Sequence, residues 1–267
     1  LDGGYIKGIV WHNMNFIPRF LNNLIFPADY GFISAPKSGR TWVRCLINHY
    51  YYLLYPLSVT SRNYLYTNKV PLIHFEHANY DHALNPAKVK KRVEKLYRRY
   101  NKNIILFRNP RDVLNSYYHH VVHGKHYPNQ DKKWKDMTIS QFIRSEYGIE
   151  RIVLHMITVF KRIKPERTLI IYYEQLKKNP EKQLSEILSF LECKIIDEKV
   201  IKDSVKYNNI DNMRKREKDK IADEFQVSLR NRKTDDDRGL KAREGVVGDF
   251  SLKNINNQII NMYENYF

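Results

Sequence analysis

The chain has 267 residues, of which 42% are hydrophobic and 13% aromatic, and it carries a formal net charge of +17 at pH 7. This length suits one α/β domain or two small ones, and the apolar fraction excludes a chain that is disordered throughout. A large basic excess is typical of proteins that bind nucleic acids, anionic surfaces or anionic small molecules, but lysines on solvated faces give the same total, so charge alone selects no function.

The cysteines favour a reducing compartment, and the lengths of the apolar segments predict no membrane-spanning helix. Cys45 and Cys193 are far apart and show no metal-ligand spacing, so neither a disulfide framework nor a zinc site is predicted. No stretch reaches the roughly 18 consecutive apolar residues that a membrane-spanning helix needs. We therefore expect a cytoplasmic protein.

Predicted strands and helices alternate along the chain. Residues 30–34 are β-rich and enter a loop at Pro36, and apolar residues at helical spacing predict a helix over 41–54. The later predicted elements are a basic helix over 86–100, strands over 103–107 and 168–172, and a helix after each of the turns at 109–110 and 179–180. This alternation indicates an α/β fold, with a central parallel sheet flanked by helices and ligands at the carboxyl ends of the strands.

Two polar stretches interrupt the alternation. Residues 119–136 predict a surface lid, and the charge-rich residues from about 211 to 244 predict a mobile segment. We assign the whole chain, 1–267, to a single domain with its core over 30–267.

The first candidate site is a loop that nearly fits the phosphate-binding pattern G-x-x-x-x-G-K-[ST]. Residues 31–38 match it, except that Pro36 replaces the second glycine. A loop between a strand and a helix directs backbone N–H groups and the positive end of the helix dipole at an anion, and Lys37 adds a full charge. Three residues add hydroxyl donors or close backbone approach: Ser38, Gly39 and Thr41. The alternative is an ordinary turn with an exposed lysine.

The second candidate site follows the strand at 103–107. Arg108 ends this strand and Ser116 lies two helical turns later, so a guanidinium and a hydroxyl can reach one phosphate. The neighbouring Arg111 and Asp112 have simpler roles, as a solvated charge and as a favourable acid at a helix N-terminus. Two anion sites on strand-to-helix turns therefore predict a ligand with two phosphate groups.

These motifs resemble those of the cytosolic-type sulfotransferases that use 3′-phosphoadenosine 5′-phosphosulfate (PAPS). Residues 35–42, A-P-K-S-G-R-T-W, are similar to the family's P-K-[ST]-G-[TS]-T-W, and residues 108–116 to its R-[ND]-P-[RK]-D-x-x-x-S. The resemblance implies a P-loop-like sulfotransferase fold in which Lys37 binds the phosphosulfate and Trp42 stacks on the adenine. Arg40 replaces a hydroxyl residue of the family pattern and serves the same anion by charge.

Two later segments extend the resemblance. Residues 172–180 are similar to Y-E-D-L-x-x-x-P, which implies that Tyr173 lies near the adenine, and residues 243–250 are similar to R-K-G-x-V-G-D-W, a loop that closes on the 3′-phosphate. The alignment places Ile210 on the other side of the adenine. The residues implied in the late loop are Arg243, Glu244, which replaces a lysine, and Gly245.

The resemblance also implies a histidine as general base after an apolar strand. Sulfuryl transfer removes a proton from the acceptor as it attacks, and imidazole titrates near neutral pH. His77 follows the run at 72–76, and the period of a strand places it on the opposite face from His74. We select His77, with His74 and the nearby His82 as alternatives.

The predicted function is therefore transfer of a sulfuryl group from PAPS to a hydroxyl or amine of a small-molecule acceptor, with 3′-phosphoadenosine 5′-phosphate (PAP) as product. No metal is predicted, because the histidine cluster at 119–126 lacks a completing carboxylate or cysteine. Nucleic acid is not an expected partner. Two alternatives stay open: a P-loop kinase or NTPase, which normally has a glycine at position 36 and an acid at the strand end, and a non-catalytic nucleotide- or nucleic-acid-binding module.

Overall fold

The computed structural model describes residues 29–56, 70–123 and 137–219. In these residues four parallel strands form one sheet in the order β2-β1-β3-β4. The strands are β1 (Tyr30–Ser34), β2 (Ile73–Glu76), β3 (Lys102–Phe107) and β4 (Thr168–Tyr172). The predicted α/β class with a central parallel sheet is confirmed.

Helices cover both faces of the sheet in the described residues. They are α1 (Arg40–Leu54), α2 (Pro86–Arg99), α3 (Pro110–Val122), α4 (Ile139–Ile143), α5 (Ile149–Phe160), α6 (Tyr173–Lys178), α7 (Pro180–Phe190), α8 (Glu198–Tyr207) and α9 (Ile210–Lys218). None of the described helices is long and apolar enough to cross a membrane.

The two central strands, β1 and β3, are buried on both faces and separate two apolar cores. Ile33 and Ile105 point into the core with α2, α3 and α5, whereas Phe32 and Ile104 point into the core with α1, α7 and α8. This alternation follows from the two-residue period of a strand. It fixes which side chains at the strand ends point toward each layer.

Asparagine and proline start two of the helices that matter for the site. Asn85 precedes α2 and its side chain accepts the N–H of Lys88, and Asn109 precedes α3 and accepts the N–H of Arg111. In both cases proline is the first helical residue, where its missing N–H costs nothing. Helix α3 is therefore aligned with the end of β3.

The segment predicted to be mobile begins as a helix. Residues 210–218 form α9, and Arg216 is buried with its guanidinium donating to the backbone O of Tyr207 at 2.8 Å and to Oδ1 of Asn208 at 3.1 Å. These two hydrogen bonds compensate the burial of the guanidinium. Residues 220–244 lie outside the described residues.

Candidate active site

The loop between β1 and α1 has a backbone conformation that suits an anion. Lys37 and Gly39 have φ angles of 63° and 101°, and Ser38 between them is buried. The Oγ atom of Ser38 has no hydrogen-bond partner among the described residues. With the N–H groups of the first turn of α1 and the charge of Lys37, this loop provides donors for a phosphate oxygen.

Gly39 lies directly against the ring of Tyr173. A Cβ atom at position 39 would lie 2.6 Å from Cδ2 of Tyr173, which is the first residue of α6 and is buried. Only glycine combines this close approach with a left-handed backbone. The phosphate loop is therefore packed onto the carboxyl end of β4.

Replacing Gly39 with alanine is expected to lower the free energy of unfolding by about 2 kcal/mol, because the left-handed conformation costs an L-residue roughly 1–2 kcal/mol and the ring of Tyr173 must also move. Urea denaturation measures this loss, and calorimetry with PAP should show weaker binding. An unchanged free energy of unfolding together with unchanged PAP affinity would contradict the packing described for Gly39.

Arg108 joins the two predicted phosphate turns. It follows β3 directly, its Nη1 donates to the backbone O of Lys37 at 3.0 Å, and its guanidinium carbon lies 4.2 Å from the centroid of the Tyr173 ring. Ser116 is partly buried on α3, which begins two residues after Arg108. The carboxyl ends of β1, β3 and β4 thus bring Lys37, Arg108 and Tyr173 together.

Three side chains predicted to contact the adenine lie together. The Nε1 atom of Trp42 donates to the backbone O of Asn208 at 2.9 Å, and its ring centroid is 5.9 Å from that of Tyr173. Ile210 is partly buried in the same small cluster as Trp42. The hydrogen bond to Asn208 holds the indole between the first turn of α1 and the start of α9.

His77 follows β2 directly and is held by β1. Its Nδ1 atom lies 2.8 Å from the backbone O of Ser34. A carbonyl oxygen only accepts, so Nδ1 carries the proton and Nε2 keeps its lone pair. Burial, and after it the charge of Arg40, lower the pKa of His77 to about 3. His77 is therefore neutral at physiological pH.

His74 lies on the other face of β2 and forms a hydrogen bond with Glu76. Its Nε2 atom is 3.2 Å from Oε2 of Glu76, which also binds the guanidinium of Arg92 on α2, with 2.9 Å between Nε and Oε1. Burial raises the pKa of Glu76, but the hydrogen bonds from His74 and Arg92 outweigh it and lower the pKa to about 2. Glu76 thus ties β2 to α2 through Arg92, while the other alternative base, His82, is exposed.

Arg40 acts on more than the donor. The sequence pattern assigns its charge only to the anion of the donor, but this charge also lies near the candidate base. It is the first residue of α1, and burial lowers its pKa to about 10, with Arg44 lowering it further and Glu76 raising it. Its charge acts on His77 as well. Arg40 thus lies between the phosphate loop and the candidate base.

Some predicted site residues lie outside the described residues. These are Arg243, Glu244 and Gly245 of the late loop, and residues 124–136 of the predicted lid. Residues 119–122, which the prediction placed in the lid, form the last turn of α3. Within the described ranges, no three histidine, cysteine or acidic side chains are grouped as metal ligands.

Two buried residues that contact the site have no signal in the sequence. His155 on α5 has its Nε2 atom 2.8 Å from the backbone O of His77, and the backbone O of Asn208 accepts the indole N–H of Trp42. Each contacts a residue more than seventy positions away in the chain. Such contacts depend on how the helices pack, which local patterns do not encode.

Known proteins with similar sequences are sulfotransferases. The family model described as a sulfotransferase domain matches residues 27–267. The mouse protein sulfotransferase 1 family member D1 is 27% identical over 188 residues, which cover 64% of this chain and 61% of that protein. The chain spans between 33% and 61% of the length of the first three curated relatives it matches.

Two solved structures share the fold. Mouse sulfotransferase SULT7A1 complexed with PAP aligns with a TM-score of 0.58 at 22% identity, over 88% of this chain and 82% of that one. Retinol dehydratase in complex with androsterone and PAP aligns with a TM-score of 0.58 at 17% identity, over 91% and 82%. Because the family model covers most of the chain, from the first strand onward, this protein belongs to the sulfotransferase domain family.

Proposed function

We propose that this chain transfers a sulfuryl group from PAPS to a hydroxyl or amine of a small-molecule acceptor and releases PAP. The observation that carries the proposal is the hydrogen bond from Arg108 to the backbone O of Lys37, which joins two anion-binding turns in one site. The membership of the chain in the sulfotransferase domain family supports the same reaction.

The residues of the two turns fit a donor with phosphate groups at both ends. When bound, PAPS supplies the sulfuryl group and an anionic leaving group. Lys37, the orphaned Oγ of Ser38 and the first turn of α1 hold the 5′ end, and Lys37 stabilises the charge that develops on the bridging oxygen. Arg108 and Ser116 hold the 3′-phosphate.

The remaining donor contacts come from residues around these turns. Trp42, Tyr173 and Ile210 surround the adenine, in agreement with the cluster that the first two form at 5.9 Å. The other proposed donor-binding residues are Gly39, Arg40, Thr41, Arg243, Glu244 and Gly245. Cationic side chains provide the charge that Mg²⁺ provides in P-loop NTPases, so we propose a reaction without a metal.

His77 acts as the general base in this proposal. Its Nε2 lone pair, left available by the hydrogen bond from Nδ1 to Ser34, accepts the proton of the acceptor O–H or N–H. The charge of Arg40 lowers the pKa of His77, so an anion bound beside Arg40 offsets this charge and raises the basicity of His77. The base is therefore strongest when the donor site is filled.

The proposed acceptor is a small molecule. Retinol dehydratase, which shares the fold, is known in complex with androsterone, and this supports a small organic acceptor rather than a nucleic acid. A panel of phenols, alcohols and amines tested with labelled PAPS identifies the acceptor class.

Calorimetry with PAP and with ATP tests the proposal. We expect PAP to bind with micromolar or better affinity, and ATP to bind at least about 100-fold more weakly, because ATP lacks the 3′-phosphate that Arg108 and Ser116 are proposed to hold. Turnover of labelled PAPS should persist with a magnesium chelator. Equal affinity for both nucleotides, or magnesium-dependent ATP turnover, would overturn the assignment.

A further inference from the structure

The backbone just after His77 adopts a conformation that few residues favour. Ala78 and Asn79 both have positive φ angles, 46° and 60°, and neither is a glycine. Each such residue costs roughly 1–2 kcal/mol, so the turn persists only where surrounding contacts hold it. Within the turn, the N–H of Tyr80 donates to the backbone O of His77 at 3.0 Å.

His155 supplies a second hydrogen bond to the same carbonyl group. Its Nε2 atom lies 2.8 Å from the backbone O of His77, and because a carbonyl only accepts, Nε2 is the donor. The side chain is almost completely buried, and its ring meets that of Tyr80 edge-on, with centroids 5.2 Å apart. His155 therefore holds the turn from inside the protein.

Helix α5 contacts the turn at another point. Arg151, one helical turn before His155, donates from Nη1 to the backbone O of Asp81 at 3.4 Å and from Nε to the backbone O of Glu146 at 2.6 Å. Tyr80 also packs edge-on against Tyr117 of α3, with 5.7 Å between centroids. The segment is thus fixed to α5 and α3 on the side away from the sheet.

The two ends of His77 are held by different layers. The Nδ1 atom of its ring is bound to Ser34 of β1, and its carbonyl oxygen is bound to His155 of α5. Together these two bonds determine the direction of the remaining ring atom, Nε2. If the carbonyl turns, the bond to Ser34 stretches or the ring rotates.

We propose that His155 is a positioning residue: its hydrogen bond to the carbonyl of His77 fixes the left-handed turn and thereby aims Nε2 of His77 at the acceptor. This inference rests on the proposed function, in which His77 is the base. His155 itself touches neither donor nor acceptor. Since a reacting group misplaced by about 1 Å can cost about 10²-fold in rate, loss of this bond is expected to act on the chemical step.

Two substitutions separate positioning from packing. His155→Leu keeps a similar volume but removes the donor, and we expect kcat to fall by about 10²-fold while the affinity for PAP stays within about threefold. His155→Gln retains an N–H donor and is expected to recover most of the activity. If the leucine variant does not fold, His155→Met is the second donor-free variant. Val159→Ala removes buried volume from the same helix without removing this bond, and is the control for packing.

The same variants in a His77→Ala background complete the test. If His155 acts through His77, His155→Leu causes no further loss of kcat there, and an additive loss would overturn the inference. Full activity in His155→Leu, or equal losses in His155→Leu, His155→Gln and Val159→Ala, would also overturn it while leaving the base assignment intact. Full activity in His77→Ala alone would instead overturn the proposed base, and this inference with it.

Discussion

Replacing His77 with alanine is expected to lower kcat for sulfuryl transfer by about 10²–10⁴-fold, the usual contribution of a positioned general base. The imidazole is neutral and its Nδ1 proton is bound to Ser34, so Nε2 is the atom proposed to accept the proton of the acceptor. Because the ring makes no part of the proposed donor site, the affinity for PAP should change by less than about threefold.

His74→Ala is the matched control for this experiment. The two histidines are three residues apart, but His74 lies on the opposite face of β2, paired with Glu76. Loss of the His74 side chain is expected to lower the free energy of unfolding and to leave kcat nearly unchanged. The measurement is initial-rate kinetics with saturating PAPS for both variants, combined with calorimetry with PAP. If His77→Ala turned over normally and His74→Ala did not, the roles assigned to the two residues would have to be exchanged.

Local patterns predicted much of the fold and of the donor site. The bounds of β1 and β4 agree with those predicted, and the helix after each phosphate turn begins within a few residues of its predicted start. These features depend on short-range physics, namely the two-residue period of buried strands, the helix-starting role of Asn-Pro, and the left-handed glycine that opens α1. The strand period also separated His74 from His77.

The contacts between distant segments could not be predicted. The sequence assigns the charge of Arg40 only to the donor's anion, yet this charge also acts on His77 and Glu76, because α1 starts beside the end of β2. His155 belongs to none of the motifs in the sequence. It contacts His77 only because α5 packs across the turn that follows β2. Both residues contact or act on the proposed base only because helices distant in the sequence pack beside the end of β2.

The protein is expected to lose about 4 kcal/mol of its free energy of unfolding between pH 7 and pH 5, about 2 kcal/mol for each of His77 and His155. Burial lowers the pKa of His77 to about 3 and that of His155 to about 4, from an ordinary value of 6.5. In this window the unfolded chain binds protons that the folded protein does not, so stability falls as the pH falls from 6.5 toward the folded values. The pKa of Glu76 is lowered to about 2 from an ordinary value of 4.5, so protonation of Glu76 reduces stability only below about pH 4.5, outside this window.

Urea denaturation at the two pH values, at constant ionic strength, measures this loss. The variant His155→Leu removes one of the two titrating groups, so it should be less sensitive to acid, losing about 2 rather than 4 kcal/mol over the same window. Val159→Ala removes no titrating group. Its free energy of unfolding should therefore be lower than that of the wild-type protein by the same amount at both pH values. An equal free energy of unfolding at pH 7 and pH 5 would mean that the folded protein takes up these protons. The turn after β2 would then open at little cost, and neither His155 nor Ser34 would hold the base in place.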